Sequence, residues 1–258
     1  MKIGICWHGK IEANKQIELM KQNGFEATFL MSNDPKLDET VPLLRENGIE
    51  CVNCHAPFDG INAIWNADDS GEKMLDRLIS GVEACARNRI PVLVVHLSSG
   101  DNAPRINDVG QARFDRLMET ARKAGVTIAF ENQRKLGNLA NAMEQYPDAA
   151  FCWDVGHEAC FAYGKPFMPL FGDRIAALHL HDNFGIHNGD DHLLPYDGTL
   201  DMVAAARQLA ESPFHDVIML EVIPGKTGKY HDMTIEEYYR RAGDAARRFA
   251  ATVERYRK

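Results

Sequence analysis

Short runs of β-branched and apolar residues recur along the chain, each followed by a longer stretch whose apolar positions fall at helical spacing. The runs are KIGICW (2–7), FEATFL (25–30), IECVNCH (49–55), PVLVVH (91–96), VTIAFE (126–131), AFCWD (150–154), IAALHLH (175–181) and VIMLEV (217–222). Between and after them the pattern predicts helices at 12–23, 38–47, 71–88, 108–124, 136–145, 157–162, 199–211 and 234–256. Gly24, Gly48 and Gly125 each stand just past a helix and before a strand, where a left-handed capping residue belongs. Thr234-Ile-Glu-Glu opens the last helix as a capping box. The sixth helix is poorly marked, because Gly164, Pro166 and Pro169 interrupt FAYGKPFMPLFGD, which reads as a loop with a short helix.

Eight strands alternating with helices predict a single (β/α)8 TIM barrel, one domain over 1–258, with a doubly wound sheet as runner-up. A barrel gathers its chemistry at the C-terminal ends of its strands. There the third strand ends in His55, the fourth in His96, the fifth in Glu131, the sixth in Asp154, and the seventh in His179 and His181, while the eighth runs through Glu221. One such residue is usually structural. Six consecutive strands delivering a carboxylate or imidazole to one rim mark a site. The stretch LHLHDNFGIHNGDDHLLPYDG (178–198) concentrates the signal further, and its loop carries Asp190 and His192.

Composition narrows the function. The 258 residues are 45% hydrophobic and 26% charged, enough apolar material for a sizeable core. A formal charge of −8 argues against nucleic acid or an anionic membrane as a general partner. No run is apolar enough for a signal peptide or a membrane span, so the expected location is cytoplasmic. Six scattered cysteines (6, 51, 54, 85, 152 and 160) read as core residues in a reducing compartment. Cys51 and Cys54 form a CxxC that lies along a strand with no second pair, unlike a zinc ribbon or a redox motif.

Imidazole and carboxylate without thiolate suit a divalent ion, Mn2+ or Zn2+ first, with Co2+ or Fe2+ also admitted. Glu131 and Glu221 facing each other at such an ion would remove and return a proton beside a carbonyl, giving aldose–ketose isomerisation or epimerisation. The same ligands, with metal-bound hydroxide attacking phosphorus, would hydrolyse a phosphodiester. Both chemistries stay open at this point.

The ordered set CHAPF (54–58), VVHLSSG (94–100), FEN (130–132), WDVGH (153–157), HLHDN (179–183), DDHLLPYDGT (190–199) and LEV (220–222) resembles the xylose-isomerase-like TIM-barrel superfamily over nearly the whole chain. In its sugar epimerase branch the resemblance implies a metal site of Glu131, Asp154, His179 and Glu221. Glu131 and Glu221 are then the acid/base pair, His157 binds a substrate oxygen, and His55 and His96 line the opposite wall. In its endonuclease IV branch the resemblance implies three zincs, held by His55, His96 and Glu131; by Asp154, His179 and Glu221; and by His157, Asp190 and His192. Against that branch, Tyr196-Asp197-Gly198 replaces its Gly-Glu-Gly and basic loops are missing, although Phe58 stands where the nuclease has an aromatic wedge.

The favoured reading is a metal-dependent sugar or sugar-phosphate isomerase or epimerase with a small-molecule substrate. The alternatives are a multi-zinc phosphodiesterase and a metal-binding barrel without activity; a homo-oligomer is compatible with all three. His181 reads as near the site without assigned ligation, and His187 as an exposed loop residue. His8 has a rim position and an even claim to substrate contact. Trp7, Phe58 and Trp65 read equally as a wall for a sugar ring or as core. The loop PGKTGKYHD (224–232) lacks P-loop spacing and leaves at most a lysine reaching over the mouth toward a substrate phosphate. RRAGDAARR reads as the solvated face of the closing helix.

Overall fold

A computed structural model describes residues 1–257. The eight strands are β1 (Lys2–Ile5), β2 (Ala27–Met31), β3 (Glu50–His55), β4 (Val92–Val95), β5 (Thr127–Glu131), β6 (Ala150–Asp154), β7 (Ile175–His179) and β8 (Val217–Leu220). They pair in parallel in the order β7-β6-β5-β4-β3-β2-β1-β8. The ring closes one residue beyond β7, where Leu180 N donates to Met219 O (2.9 Å) and Glu221 N to Leu180 O (3.1 Å). The fold is a single (β/α)8 barrel, as the alternation predicts.

The principal helices are α1 (Ala13–Gln22), α2 (Leu37–Glu46), α3 (Asp69–Arg87), α4 (Asp108–Ala124), α5 (Leu136–Gln145), α6 (Val155–Cys160), α7 (Met168–Phe171), α8 (Met202–Ala210) and α9 (Ile235–Tyr256). Gly24, Gly48 and Gly125 adopt left-handed φ values of 76°, 74° and 69° at the predicted caps. Thr234 Oγ1 accepts the Glu237 amide at the start of α9. The sixth helical region departs from the expected 157–162. Asp154 caps α6 directly, its Oδ1 accepting the His157 amide (2.7 Å), so the helix starts at Val155 and the broken stretch leaves only the four-residue α7. Asp201 likewise caps α8 and moves its start from 199 to Met202.

Pleat alternation positions the site. Phe130, Phe151, Trp153, Leu178, Leu180, Ile218 and Leu220 point outward into the layer between strands and helices. The alternate residues Val94, Ala129, Ala150, Cys152 and Ala177 pack together inside the barrel, and Ala27, Phe29, Val217 and Met219 form a second inner cluster. One pleat above these inner residues stand His96, Glu131, Asp154, His179 and Glu221, so the ends of β4, β5, β6, β7 and β8 each carry a candidate site residue over a packed floor. Among the described residues no helix is long and apolar enough to cross a membrane.

Candidate functional site

Glu131 is the centre of the inner cluster. Its Oε2 lies 2.5 Å from His96 Nε2 and 3.1 Å from His55 Nε2, and its Oε1 lies 3.1 Å from His179 Nδ1 and 3.4 Å from His157 Nδ1. Burial pushes the Glu131 carboxyl up, but His96, His179 and His55 together hold it well below the usual carboxylate range. His179 Nδ1 is also 3.4 Å from Glu221 Oε2. Burial disfavours charge on His179, and Cys152, Glu221 and Glu131 outweigh it, raising that imidazole well above its ordinary value.

Glu131, Asp154, His179 and Glu221 each offer a ligand atom within 4.8 Å of the others. The donor chemistry fits a cation. His55 Nδ1 donates to Ala56 O (2.7 Å), which leaves Nε2 of the neutral ring with its lone pair turned on Glu131 Oε2. Asp154 Oδ2 and His179 Nε2 are buried without a hydrogen-bond partner. Lone pairs converging in a buried space repel unless a proton or metal lies among them.

A second cluster lies beside the first. His181 Nε2 is 3.1 Å from Asp154 Oδ1 and 3.6 Å from Asp190 Oδ1, and its ring stacks on His192 (centroids 4.3 Å apart). His192 Nδ1 donates to the Glu221 carbonyl (2.8 Å), and its Nε2 meets Asp190 Oδ2 at 2.9 Å. Lys226 Nζ reaches the same Oδ2 at 3.0 Å. Burial pushes the Asp190 carboxyl up, and the His192, His157 and His181 imidazoles outweigh it and hold the group well below the carboxylate range.

The loop that brings Asp190 and His192 back over the barrel is anchored at Asp182. Its Oδ1 accepts the amides of Asn183 (2.9 Å) and Leu200 (3.1 Å), and its Oδ2 that of Tyr196 (3.0 Å). Antiparallel backbone bonds join Asp182 to Leu193. This anchoring holds His192 and Tyr196 at left-handed φ values of 47° and 74°, which non-glycine residues adopt only when their surroundings demand it.

A cavity of about 710 Å³ opens over the inner cluster, with Glu131, Glu221, His55, His96, His157 and Asp190 on its wall. That size suits a small-molecule ligand. Phe29, Met31 and Phe161 supply apolar lining, and Trp7 and Phe58 join them, Phe58 stacked on His96 at 4.9 Å. His8 lines the cavity, and burial lowers its pKa to about 4.

His55 and His96 line the cavity, and both also reach Glu131 itself, because β3, β4 and β5 are neighbours and their inward ends converge. Trp65 belongs to the core, with its Nε1 bonded to Leu97 O (2.8 Å) and its ring against Phe114. His181 lies beside the inner cluster, fully buried and linked to Asp154. His187 lies in the loop beside Tyr163 and Asp101.

Sequence reasoning missed Asn132, Gln133 and Arg134, although they directly follow the strand-end Glu131. The Asn132 amide braces Asp154, donating to its carbonyl (2.8 Å) and accepting from its amide (2.7 Å). The Gln133 side-chain nitrogen lies 3.2 Å from His96 Nε2 and 3.1 Å from His157 Nδ1. Arg134 stacks its guanidinium on Phe161, 3.6 Å from the ring centroid.

Glu158 provides a pH test of the packing behind the site. Burial raises its pKa to about 7, against opposing hydrogen bonds from the Phe167 amide (3.1 Å) and Trp153 Nε1 (2.5 Å). A carboxyl raised in the folded state favours folding while protonated, so its contribution is complete below about 4.5 and fades as pH rises through about 7. Glu158→Gln should therefore flatten the stability profile across that window. At pH 8 it should be more stable than wild type by up to about 3 kcal/mol. Urea denaturation of both proteins at pH 5 and pH 8 measures this, and identical pH dependence would refute it.

Comparison with known proteins accords with the geometry. The chain belongs to the xylose isomerase-like TIM barrel family, whose model matches residues 15–248. It is 26% identical to the uncharacterized protein y4fM of Sinorhizobium fredii, covering 92% of this chain and 88% of that one. It is 32% identical to a probable endonuclease 4 of Cenarchaeum symbiosum, over 54% of this chain and 58% of that one. Solved structures of other proteins share the fold. The D-psicose 3-epimerase of Clostridium cellulolyticum H10, determined with D-tagatose, has a TM-score of 0.77 at 13% identity, covering 98% of this chain and 99% of that one. An IOLI protein with a bound zinc atom has a TM-score of 0.73 at 16% identity, with the same coverage.

Proposed function

We propose that the protein is a metal-dependent sugar isomerase or epimerase. The observation that carries this reading is the convergence of Glu131, Asp154, His179 and Glu221, two of which, Glu131 and Glu221, line a cavity sized for a small molecule. These four residues would hold one divalent ion, whose chemistry when bound is to stabilise negative charge developing on substrate oxygen. The epimerase neighbours support a sugar as substrate, since one of them was solved with D-tagatose.

The proton transfer belongs to the two glutamates. Glu221, on the cavity wall, takes the proton from the carbon beside the substrate carbonyl. The C–H electron pair becomes a C=C bond and the carbonyl π pair moves to oxygen. Return of a proton by Glu131 to the opposite face of that carbon, as the pairs move back, completes an epimerisation; return to the adjacent carbon, with a hydroxyl proton moved between the oxygens, completes an isomerisation. Glu131 would receive its proton from an adjoining imidazole, since four histidines surround it. His157 would meet a substrate hydroxyl from the cavity wall, and the apolar lining would keep water from the carbanionic centre.

The second reading is a multi-zinc phosphodiesterase. Two observations favour it: His55, Glu131 and His179 form a further set of convergent ligand atoms, and the endonuclease 4 relative matches about half of the chain. Lys226 favours the first reading, because its ammonium pairs with Asp190 at 3.0 Å, where a third zinc would need that carboxylate. Metal analysis tests the choice. One ion per chain is expected, and saturation at about 100 times Kd should add about 2.7 kcal/mol of stability, raising Tm by roughly 5–10 °C. Three ions per chain would replace the isomerase reading with the hydrolase one, and failure to bind any ion would remove both.

A further inference from the structure

The isomerase reading leaves the outer rim of the cavity unexplained. His8-Gly9-Lys10 follows β1 and Pro224-Gly225-Lys226 follows β8, and all six residues line the cavity. Because β1 and β8 are neighbours in the barrel, the two Gly-Lys pairs stand on adjoining loops of one side of the mouth. The GKTGK stretch has no P-loop geometry, yet its first lysine is one of this pair.

The glycines are informative because ordinary reasons for glycine fail at both positions. Neither has a left-handed φ, and a Cβ built on either meets nothing within 4 Å. Conformation and packing would both accept a side chain. A side chain there would instead stand in the open rim and keep a ligand off the backbone. Among the described residues the amides of Gly9, Lys10 and Gly225 donate to no protein acceptor. Lys10 is exposed and makes no ion pair within 4.0 Å, while Lys226 spends one donor on Asp190 and has two more N–H groups.

We propose that this double Gly-Lys rim binds the phosphate group of a phosphorylated sugar, whose carbonyl end lies over Glu131 and Glu221. The assignment rests on the isomerase reading for the orientation of the sugar. Two ammonium groups and unpaired backbone amides at one place match a tetrahedral dianion, which accepts hydrogen bonds from several directions at once. Barrel enzymes place phosphate sites on their last βα loops, where Gly225 and Lys226 stand. Asp190 does not oppose the anion, because its carboxylate pairs with the Lys226 ammonium at 3.0 Å.

The probe is inorganic phosphate, titrated by calorimetry into the metal-loaded protein and into protein stripped by chelator. Binding is expected in both forms, because the rim is made of protein groups. Lys10→Ala should weaken it roughly tenfold, the Lys10→Ala/Lys226→Ala double variant more, and Gly9→Val should block it. With ketoses as substrates, KM should be lower for the phosphate ester than for the free sugar, and the double variant should erase that difference. No binding, binding only to the metal-loaded form, or binding indifferent to all three variants would overturn the proposal. Acetate binding as tightly as phosphate would overturn the assignment to a phosphate ester. Because the titration needs no turnover, its failure with proton exchange intact removes this subsite alone. Failure of exchange with the titration intact removes the isomerase reading alone.

Discussion

Glu221→Gln should abolish incorporation of solvent deuterium into a ketose substrate and lower kcat by about a thousandfold. The substitution preserves shape but removes the carboxylate that takes the proton, and positioned acid–base groups contribute effects of this order. Glu221 has a free path to substrate because one carboxylate edge lies on the cavity wall while its backbone carbonyl holds His192 Nδ1 at 2.8 Å. The backbone contact survives the substitution, so the pocket should keep its form. Because Glu221 is also one of the four convergent ligands, metal content must be measured alongside exchange. Glu221→Asp retains a carboxylate and separates loss of the ion from loss of the base. Deuterium incorporation at the wild-type rate in metal-loaded Glu221→Gln would remove this residue from the proton transfer.

Gly156→Ala should destabilise the fold by about 2–4 kcal/mol, lowering Tm by roughly 5–10 °C, and should weaken metal binding at least about tenfold. A Cβ at Gly156 would overlap the imidazole of His181, which lies fully buried against α6. To admit the methyl, either α6 must shift or His181 must leave Asp154 Oδ1, which also caps that helix at the His157 amide. The sign makes the test sharp. Alanine is normally the better helix residue by up to about 1 kcal/mol, so destabilisation reports the overlap and not helix propensity. Gly137→Ala in α5, where a Cβ meets nothing within 4 Å, is the matched control and should leave Tm unchanged or raise it. An unchanged or raised Tm in Gly156→Ala would show that His181 does not require that glycine.

The strands were legible because a buried parallel strand must be a short apolar run, and eight such runs were present. Glu131, Asp154 and His179 were legible for a related reason. Each is the first ionisable residue after small inward-facing side chains such as Ala129, Cys152 and Ala177, so the two-residue alternation points it up the barrel axis. The start of α6 was less legible, because Asp154 is at once a strand end, a convergent site carboxylate and a helix cap, and periodicity cannot register three roles at one position. Asn132 was passed over although it sits one residue from Glu131, since its value lies in a two-bond clasp on Asp154, 22 residues away.

By itself the sequence determined the repeated strand and helix pattern, the barrel class and the residues that end each strand. These follow from local rules, namely pleat alternation, helical period and cap chemistry, which act within a few residues. Tertiary structure alone decided which of those residues meet. It brought His55 and His96 onto the same oxygen of Glu131, buried His181 between Asp154 and Asp190, and laid Lys226 on Asp190 across 36 positions. Such pairings depend on the order and stagger of strands around a closed ring and on loops anchored by groups such as Asp182. Distances set in three dimensions by closure leave no spacing along the chain to read.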